Sequence, residues 1–391
     1  MVMNKKNILF YFIKGDSDGG SDYSLFVHLV HLDLTKYNPI IIYRKKSQLT
    51  ANLAKKGYKL LHIPGKVKKI QQHTNTIRKS KNKEYLFKKY LRSIKVFYKA
   101  IPEALKLRKI IKDEKINLIH LNHNLNGDRA GIIAGILTRI KIISHYRGLY
   151  KPIPIDLFLA KFIDKIICIS DFTKDEYIST GIDENKCITI HNGVDTSIFK
   201  PSSKLSSDTI VGCIGRLEYW KGQHVLIKAI PEVLKVFPSI KFQFIGDGNN
   251  KDNLILLVKE LKVEHAVEFV GSVNNIEKYI KEFSLAVHTS IEPEPFGRVI
   301  IEAMAMGKVV ISTNIGGPKE IISNGINGYL IPPNRPNTLS LKIIEILQSI
   351  QLNKKISQEA NKAVKARFEA KLITQKIERL YRQITEQRGI A

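Results

Sequence analysis

The chain has 391 residues, with 43% apolar and 8% aromatic side chains; that is a length of two domains at about 100 to 200 residues each, and a mix that excludes wholesale disorder and collagen-like or coiled-coil architecture. Lys and Arg total 63 against 36 Asp and Glu, a formal charge of +27, and so basic a surface attracts nucleic acid, anionic lipid or phosphorylated substrates. Residues 1–200 hold 37 of the bases and 17 of the acids, and Lys66–Lys115 alone holds 17 bases against four acids, so a single segment makes the protein basic.

The first apolar run, Asn7–Ile13, follows Lys5 and Lys6 but ends at Lys14-Gly15-Asp16 without a small-residue cleavage site, so it reads as a strand and not as a signal peptide. The glycine-containing loop that follows, through Gly19 and Gly20, is not a Walker loop, because no Gly-Lys-Ser/Thr closes it. Further strands are predicted at Pro39–Tyr43, Tyr58–Ile63, Leu118–Leu121, Lys141–His145, Lys165–Ile169 and Cys187–Ile190, with helices Ser24–Thr35, Ser47–Lys56, Arg129–Leu137 and Phe172–Ser179 among them. Between Gly65 and Lys112 a polar basic loop leads into a long helical stretch in which Tyr85, Phe87, Tyr90, Leu91, Ile94, Phe97 and Tyr98 interleave with lysines, the pattern of a helix that lies on an anionic membrane. Nucleic acid is disfavoured, since no recognised binding motif accompanies the charge.

Asp195–Asp208, rich in Ser and without a period, reads as a linker. A second alternating series follows: strands Thr209–Ile214, Lys241–Ile245, Val267–Phe269, Leu285–His288, Val309–Ser312 and Gly328–Ile331, with helices Gly222–Val236, Lys251–Leu261, Arg298–Met306 and Thr338–Gln348. Strands alternating with helices in both halves predict two parallel sheets covered on both faces. The closing segment, Gln358–Arg388, carries Phe368, Ile373, Ile377, Leu380, Tyr381 and Ile384 at helical spacing and is expected to pack back onto the first domain. The domains are therefore expected at 1–196, 209–357 and a returning helix at 358–391, with 197–208 as linker. Cys168, Cys187 and Cys213 have no metal-ligand spacing and read as core residues of a reducing compartment. No run approaches 18 apolar residues, so no membrane span is expected.

The most specific stretch is Glu294-Pro295-Phe296-Gly297-Arg298-Val299, leading through Glu302 to Gly307. Pro295 and Gly297 break the chain just before a helix, so the N–H groups at 296–299 form an anion site suited to phosphate. Two carboxylates, Glu294 and Glu302, around one phosphate site make sense if they grip hydroxyls on its two sides, a sugar and a ribose, which describes a nucleotide sugar. Arg216 and Lys221, in Gly215-Arg216-Leu217 and Lys221-Gly222 after a strand, offer a planar fork and a point charge for two phosphates.

With Gly316-Gly317-Pro318-Lys319-Glu320 beyond it, the Glu294-x7-Glu302 pattern resembles the retaining glycosyltransferases of family 4, which have the GT-B fold; Gly215-Arg216-Leu217 with Lys221-Gly222, Asn192-Gly193-Val194-Asp195 and Gly246-Asp247-Gly248 belong to the same resemblance. The resemblance implies an α/β fold of two Rossmann-like domains facing each other across a cleft, with acceptor binding in the first and donor binding in the second. It implies metal-independent transfer of a hexose-type sugar from a nucleotide diphosphate sugar, without a cofactor, to a hydroxyl on a lipid-linked glycan or a cell-envelope polysaccharide. In this pattern His145, Arg216, Lys221 and Glu294 are the catalytic residues. Donor contacts come from Gly19, Gly20, Arg216, Lys221, Val273, Glu294, Phe296, Gly297, Arg298, Val299 and Glu302. His120 and His123 are acceptor candidates. Asp16-Ser17-Asp18 also has the Asp-x-Asp form of the metal motif of the other large glycosyltransferase fold, a reading that Arg216 and Lys221 oppose. A sugar-nucleotide epimerase of the same fold and a non-catalytic membrane scaffold are the competing readings. A cytoplasmic enzyme, peripheral on the inner membrane face, is expected.

Overall fold

A computed structural model describes residues 5–12, 20–64, 83–201 and 209–386. Two compact units divide the chain: residues 1–191 with 373–391, and residues 192–372. The first holds β1 (Lys6–Phe12), β2 (Tyr37–Tyr43), β3 (Lys59–His62), β4 (Leu118–Leu121), β5 (Lys141–Tyr146), β6 (Lys165–Cys168) and β7 (Cys187–Thr189), paired in parallel in the order β3-β2-β1-β4-β5-β6-β7. Side chains alternate across a strand, and both faces here are covered: Leu9 and Tyr11 enter one core layer, Ile8 and Phe10 the other. That is why the strands read as continuous apolar runs.

The second unit repeats the plan with β8 (Ile210–Ile214), β9 (Lys241–Ile245), β10 (Val267–Gly271), β11 (Leu285–His288), β12 (Val309–Thr313) and β13 (Tyr329–Ile331), in the order β10-β9-β8-β11-β12-β13. In each sheet the order reverses once, between β1 and β4 and between β8 and β11. Ligands of open α/β sheets bind beyond the strand C-termini at such a switch point.

The unit boundary falls at His191 and Asn192, so the stretch expected as a linker begins inside the second unit, and its residues 202–208 lie outside the described residues. In place of one closing helix there are two, Ile350–Arg367 and Ala370–Glu386, separated at Phe368 and Glu369. Phe368 is fully buried, and Val194 and Ala370 pair through their backbones around it, Val194 N donating to Phe368 O and Ala370 N to Val194 O, each at 2.9 Å. From Ile373 onward the last helix packs Ile377, Leu380 and Tyr381 against Ile8, Phe10 and Leu25 of the first unit. The three cysteines are buried thiols. No described helix is long and apolar enough to cross a membrane.

The helix Lys83–Asp113 has Pro102 inside it. Its Ala104, Leu107 and Ile111 enter the first unit's core, with Phe97 packed against that cluster. The basic loop at 66–82, and the side chains of Tyr85, Phe87 and Tyr90, lie outside the described residues.

Candidate functional site

In the second unit the switch point places two neighbouring strand ends together. After β8 the chain passes Gly215 and Arg216, makes a short 3-10 turn at Tyr219–Lys221, and enters the helix Gln223–Val236. From His288, the last residue of β11, it runs through Thr289 and Ser290 to Glu294 and the helix Arg298–Ala305. The two segments are laced by backbone: Ile291 N donates to Trp220 O at 2.8 Å, and Thr289 Oγ1 donates to Lys221 O at 3.0 Å. Gly222 is what allows the approach. Its φ is +68°, and a Cβ there would lie 2.1 Å from the Thr289 carbonyl oxygen.

That lacing delivers Lys221 Nζ onto a carboxylate oxygen of Glu294, while the same ammonium lies 4.2 Å from the centre of the Trp220 ring. Ser290 Oγ donates to that carboxylate at 3.2 Å, and His288 Nε2 stands 3.5 Å from it. Burial alone would raise the Glu294 carboxyl; the Lys221 charge, with His288, outweighs it and holds the group well below the usual carboxylate range. From the other side Glu294 O accepts from Gly317 N at 2.8 Å, and Gly316, at φ +68°, comes so near that a Cβ would lie 2.4 Å from that oxygen.

Phe296 is buried edge-on against Phe368, with ring centres 5.8 Å apart, and so anchors the loop rather than facing solvent. Gly297, at φ +100°, caps the helix, and Val299 sits half-buried in its first turn. Glu302 is buried, and its carboxylate pairs with Arg298 one turn earlier. Arg216 is exposed, its carbonyl held by Gln223 Nε2 at 2.9 Å, and it has no ion pair among the described residues. Val273 is half-buried two residues beyond β10. The sequence reading missed His288, Thr289 and Ser290. Their strand was predicted in place, but strand order, which sets β11 beside β8, is not written in any local pattern.

In the first unit Gly19 and Asp16-Ser17-Asp18 lie outside the described residues, and Gly20 opens the helix Gly20–His31. His120 is fully buried on β4, and His123 is buried just beyond it. His145, near the end of β5, is 1% exposed and stacks on His120 with ring centres 5.6 Å apart. Burial pushes both imidazoles well below their ordinary pKa, reinforced for His145 by the Arg147 charge and for His120 by His28 and Arg147, so both are neutral at pH 7. Among the described residues no three His, Cys, Asp or Glu side chains are grouped as a metal site would need.

Two doubly wound parallel sheets in separate units, the second with a lysine, a histidine and a glutamate gathered at its switch point, define the architecture of the two-domain GT-B transferases. The family model of glycosyl transferases group 1 matches residues 194–363, and that of glycosyltransferase family 4 matches residues 39–198. The chain belongs to the family 4 glycosyltransferases of GT-B fold and is a glycosyltransferase. It is similar to an uncharacterized glycosyltransferase of Methanocaldococcus jannaschii, 28% identical over 71% of this chain and 79% of that one. A solved glycosyltransferase of Rickettsia africae superposes with a TM-score of 0.78 at 25% identity, covering 99% of this chain and 100% of that chain. Anabaena HepE, solved in complex with UDP, superposes with a TM-score of 0.79 at 23% identity, covering 96% and 100%.

Proposed function

We propose that the protein transfers a hexose-type sugar, with retention of anomeric configuration and without a metal, from a nucleotide diphosphate sugar to an acceptor hydroxyl. The observation that carries this reading is the Lys221–Glu294 pair at the switch point, with Arg216 exposed on the preceding loop. In the absence of substrate the ammonium is neutralised by the carboxylate. An incoming diphosphate competes for Lys221, and the carboxylate so released turns to the sugar hydroxyls. Arg216, Lys221 and the N–H groups after Gly297 then meet the charge that grows on the leaving diphosphate, a contribution larger in the transition state than in the ground state. The family resemblance supplies the rest: the anomeric carbon–phosphate oxygen bond breaks, the acceptor oxygen bonds to that carbon on the same face, and the acceptor proton passes to the leaving phosphate oxygen. His145, with His120 on the neighbouring strand β4 and His123 just beyond that strand, serves the sugar and acceptor side, and Gly19, Gly20, Val273 and Val299 complete the donor contacts.

The acceptor is a lipid-linked glycan or cell-envelope polysaccharide, and the enzyme works as a peripheral protein on an anionic, cytoplasmic membrane face. Support comes from the helix Lys83–Asp113. Opposite its core-facing residues, Leu91, Ile94, Tyr98 and Leu105 recur on an exposed face, with Tyr98 66% exposed, beside Lys95, Lys99 and Lys106. UDP-, GDP- and ADP-sugars screened for slow hydrolysis, and then for transfer onto a membrane extract, test the reading. Nucleotide release with one donor is expected, and no release or transfer with any of them overturns it.

A further inference from the structure

The first unit buries three imidazoles on one face of its sheet. His28 from the helix Gly20–His31, His120 from β4 and His145 from β5 are each at most 3% exposed. His120 lies 5.7 Å from His28 and 5.6 Å from His145 between ring centres, and Phe10 covers the first two at 5.8 and 5.2 Å. The last helix brings two hydroxyls to this cluster: that of Tyr381 lies 2.9 Å from His28 Nε2 and 2.5 Å from His120 Nδ1. Thr374 Oγ1, two turns earlier, is 3.3 Å from His28 Nδ1. His120 Nε2 and both nitrogens of His145 have no hydrogen-bond partner among the described residues. Buried polar atoms are nearly always satisfied, so these imidazole nitrogens call for a partner that the described side chains do not supply.

A phenol has one proton to give. It cannot donate to two imidazoles, and the arrangement that uses both its proton and a lone pair has one neighbour accept from it and the other donate to it. The Thr374 hydroxyl has no other partner among the described residues, so its proton goes to His28 Nδ1; His28 then carries its own proton on Nε2 and donates to Tyr381, and Tyr381 donates to His120 Nδ1. The consequence falls on the atom that has no partner: His120 is fixed as the Nε2–H tautomer and presents a donor, not a lone pair. His120 in turn stacks on His145 and limits how that ring can turn.

We propose that Tyr381 is a positioning residue for this histidine cluster, holding His120 as a fixed Nε2–H donor for a hydroxyl oxygen of the bound carbohydrate and steadying the His145 ring beside it. The role of Tyr381 rests on the transferase reading only in what is received; the tautomer does not. Nothing in the local sequence announces the role, because Tyr381 reads as one more apolar position of an amphipathic helix.

Tyr381→Phe is the test. The ring contacts that the phenyl retains, edge-on to Tyr37 at 5.6 Å, keep the helix seated, so melting within a few degrees of the parent is expected. Long-range 15N–1H spectra of the full chain labelled at histidine, assigned with His28→Gln and His120→Gln, should show a pure Nε2–H form for His28 and His120 in the parent. In the variant His120 should become a mixture of tautomers. With the nucleotide sugar found in the donor screen, turnover should fall about ten-fold at unchanged donor KM, the loss expected for one misdirected hydrogen bond. A His120 that is Nδ1–H in the parent, or whose tautomer is the same in both proteins, overturns the proposal, as does a shifted tautomer with unchanged turnover. The spectra need no substrate, so a failure of the transferase reading is told apart from a failure of this one.

Discussion

The two units share one plan, a parallel sheet covered on both faces, yet they bury opposite kinds of polar group at their strand ends. The second gathers charge: Lys221, Glu294, Arg298 and Glu302 are ionic partners in pairs. Beside its own switch point the first buries neutral groups, with His28, His120 and His145 pushed down by burial and Asp128 pushed up to about 8 by the same cause, while its Arg44–Glu103 pair lies apart, beyond β2. A site that must meet a diphosphate keeps ionised groups partly wet and mutually compensated, whereas a site that meets hydroxyls can afford deep burial, since a neutral donor or acceptor loses far less on leaving water than an ion does. On the proposed transfer reading the same fold would serve two chemistries, with the difference in the side chains at the strand ends.

The largest expected effect breaks the charged side. Lys221→Ala removes the point charge for the diphosphate, and turnover should fall by about 100-fold or more while the fold persists; turnover within a few-fold of the parent would contradict the charge reading. Glu294→Gln separates the two partners. The uncompensated Lys221 should bind free nucleoside diphosphate several-fold tighter by calorimetry, even as sugar transfer drops, and weaker binding of the diphosphate would show that Glu294 does not compete for it. Gly222→Ala attacks the lacing that brings the pair together, through the clash with the Thr289 carbonyl and a positive φ, and should lower stability by about 2 kcal/mol in denaturant unfolding.

The neutral side is broken through pH. Asp128 accepts from Ser144 Oγ at 2.7 Å, and its folded pKa lies above its unfolded value near 4. The unfolded chain therefore releases this proton first as pH rises, so the group's contribution is complete below about 4 and is lost progressively up to about 8. Asp128→Asn should flatten that part of the stability profile, read as melting temperature between those pH values. An unchanged slope would place the pH dependence elsewhere.

Much of the fold was legible because buried parallel strands must be apolar on both faces and are bounded by turn residues. β4, β9 and β11 fall on the predicted residues, and the helix after Gly297 begins at Arg298 as the Pro-Phe-Gly break requires. The short helices Pro154–Ala160 and Ile276–Glu282 were not legible, since seven residues give too few turns for a period to register. Of the site, Glu294, Arg216 and Lys221 were legible as residue types in a pattern. The pairings were not: Lys221 on Glu294, and Arg298 on Glu302 within one helix, are contacts that the pattern does not state.

By itself, then, the sequence determined the alternation of strands and helices, the two-part plan, the concentration of charge in one segment and the motif that carries the family. The tertiary structure alone decided that β11 lies beside β8, so that His288 and Ser290 join Lys221 at Glu294, and that a tyrosine more than 250 positions from His120 supplies its hydrogen bond. The reason is physical. Period and turn chemistry act over a few residues and leave their mark locally, whereas strand order and long-range packing are chosen by the burial of whole faces against one another, which no short window of sequence contains.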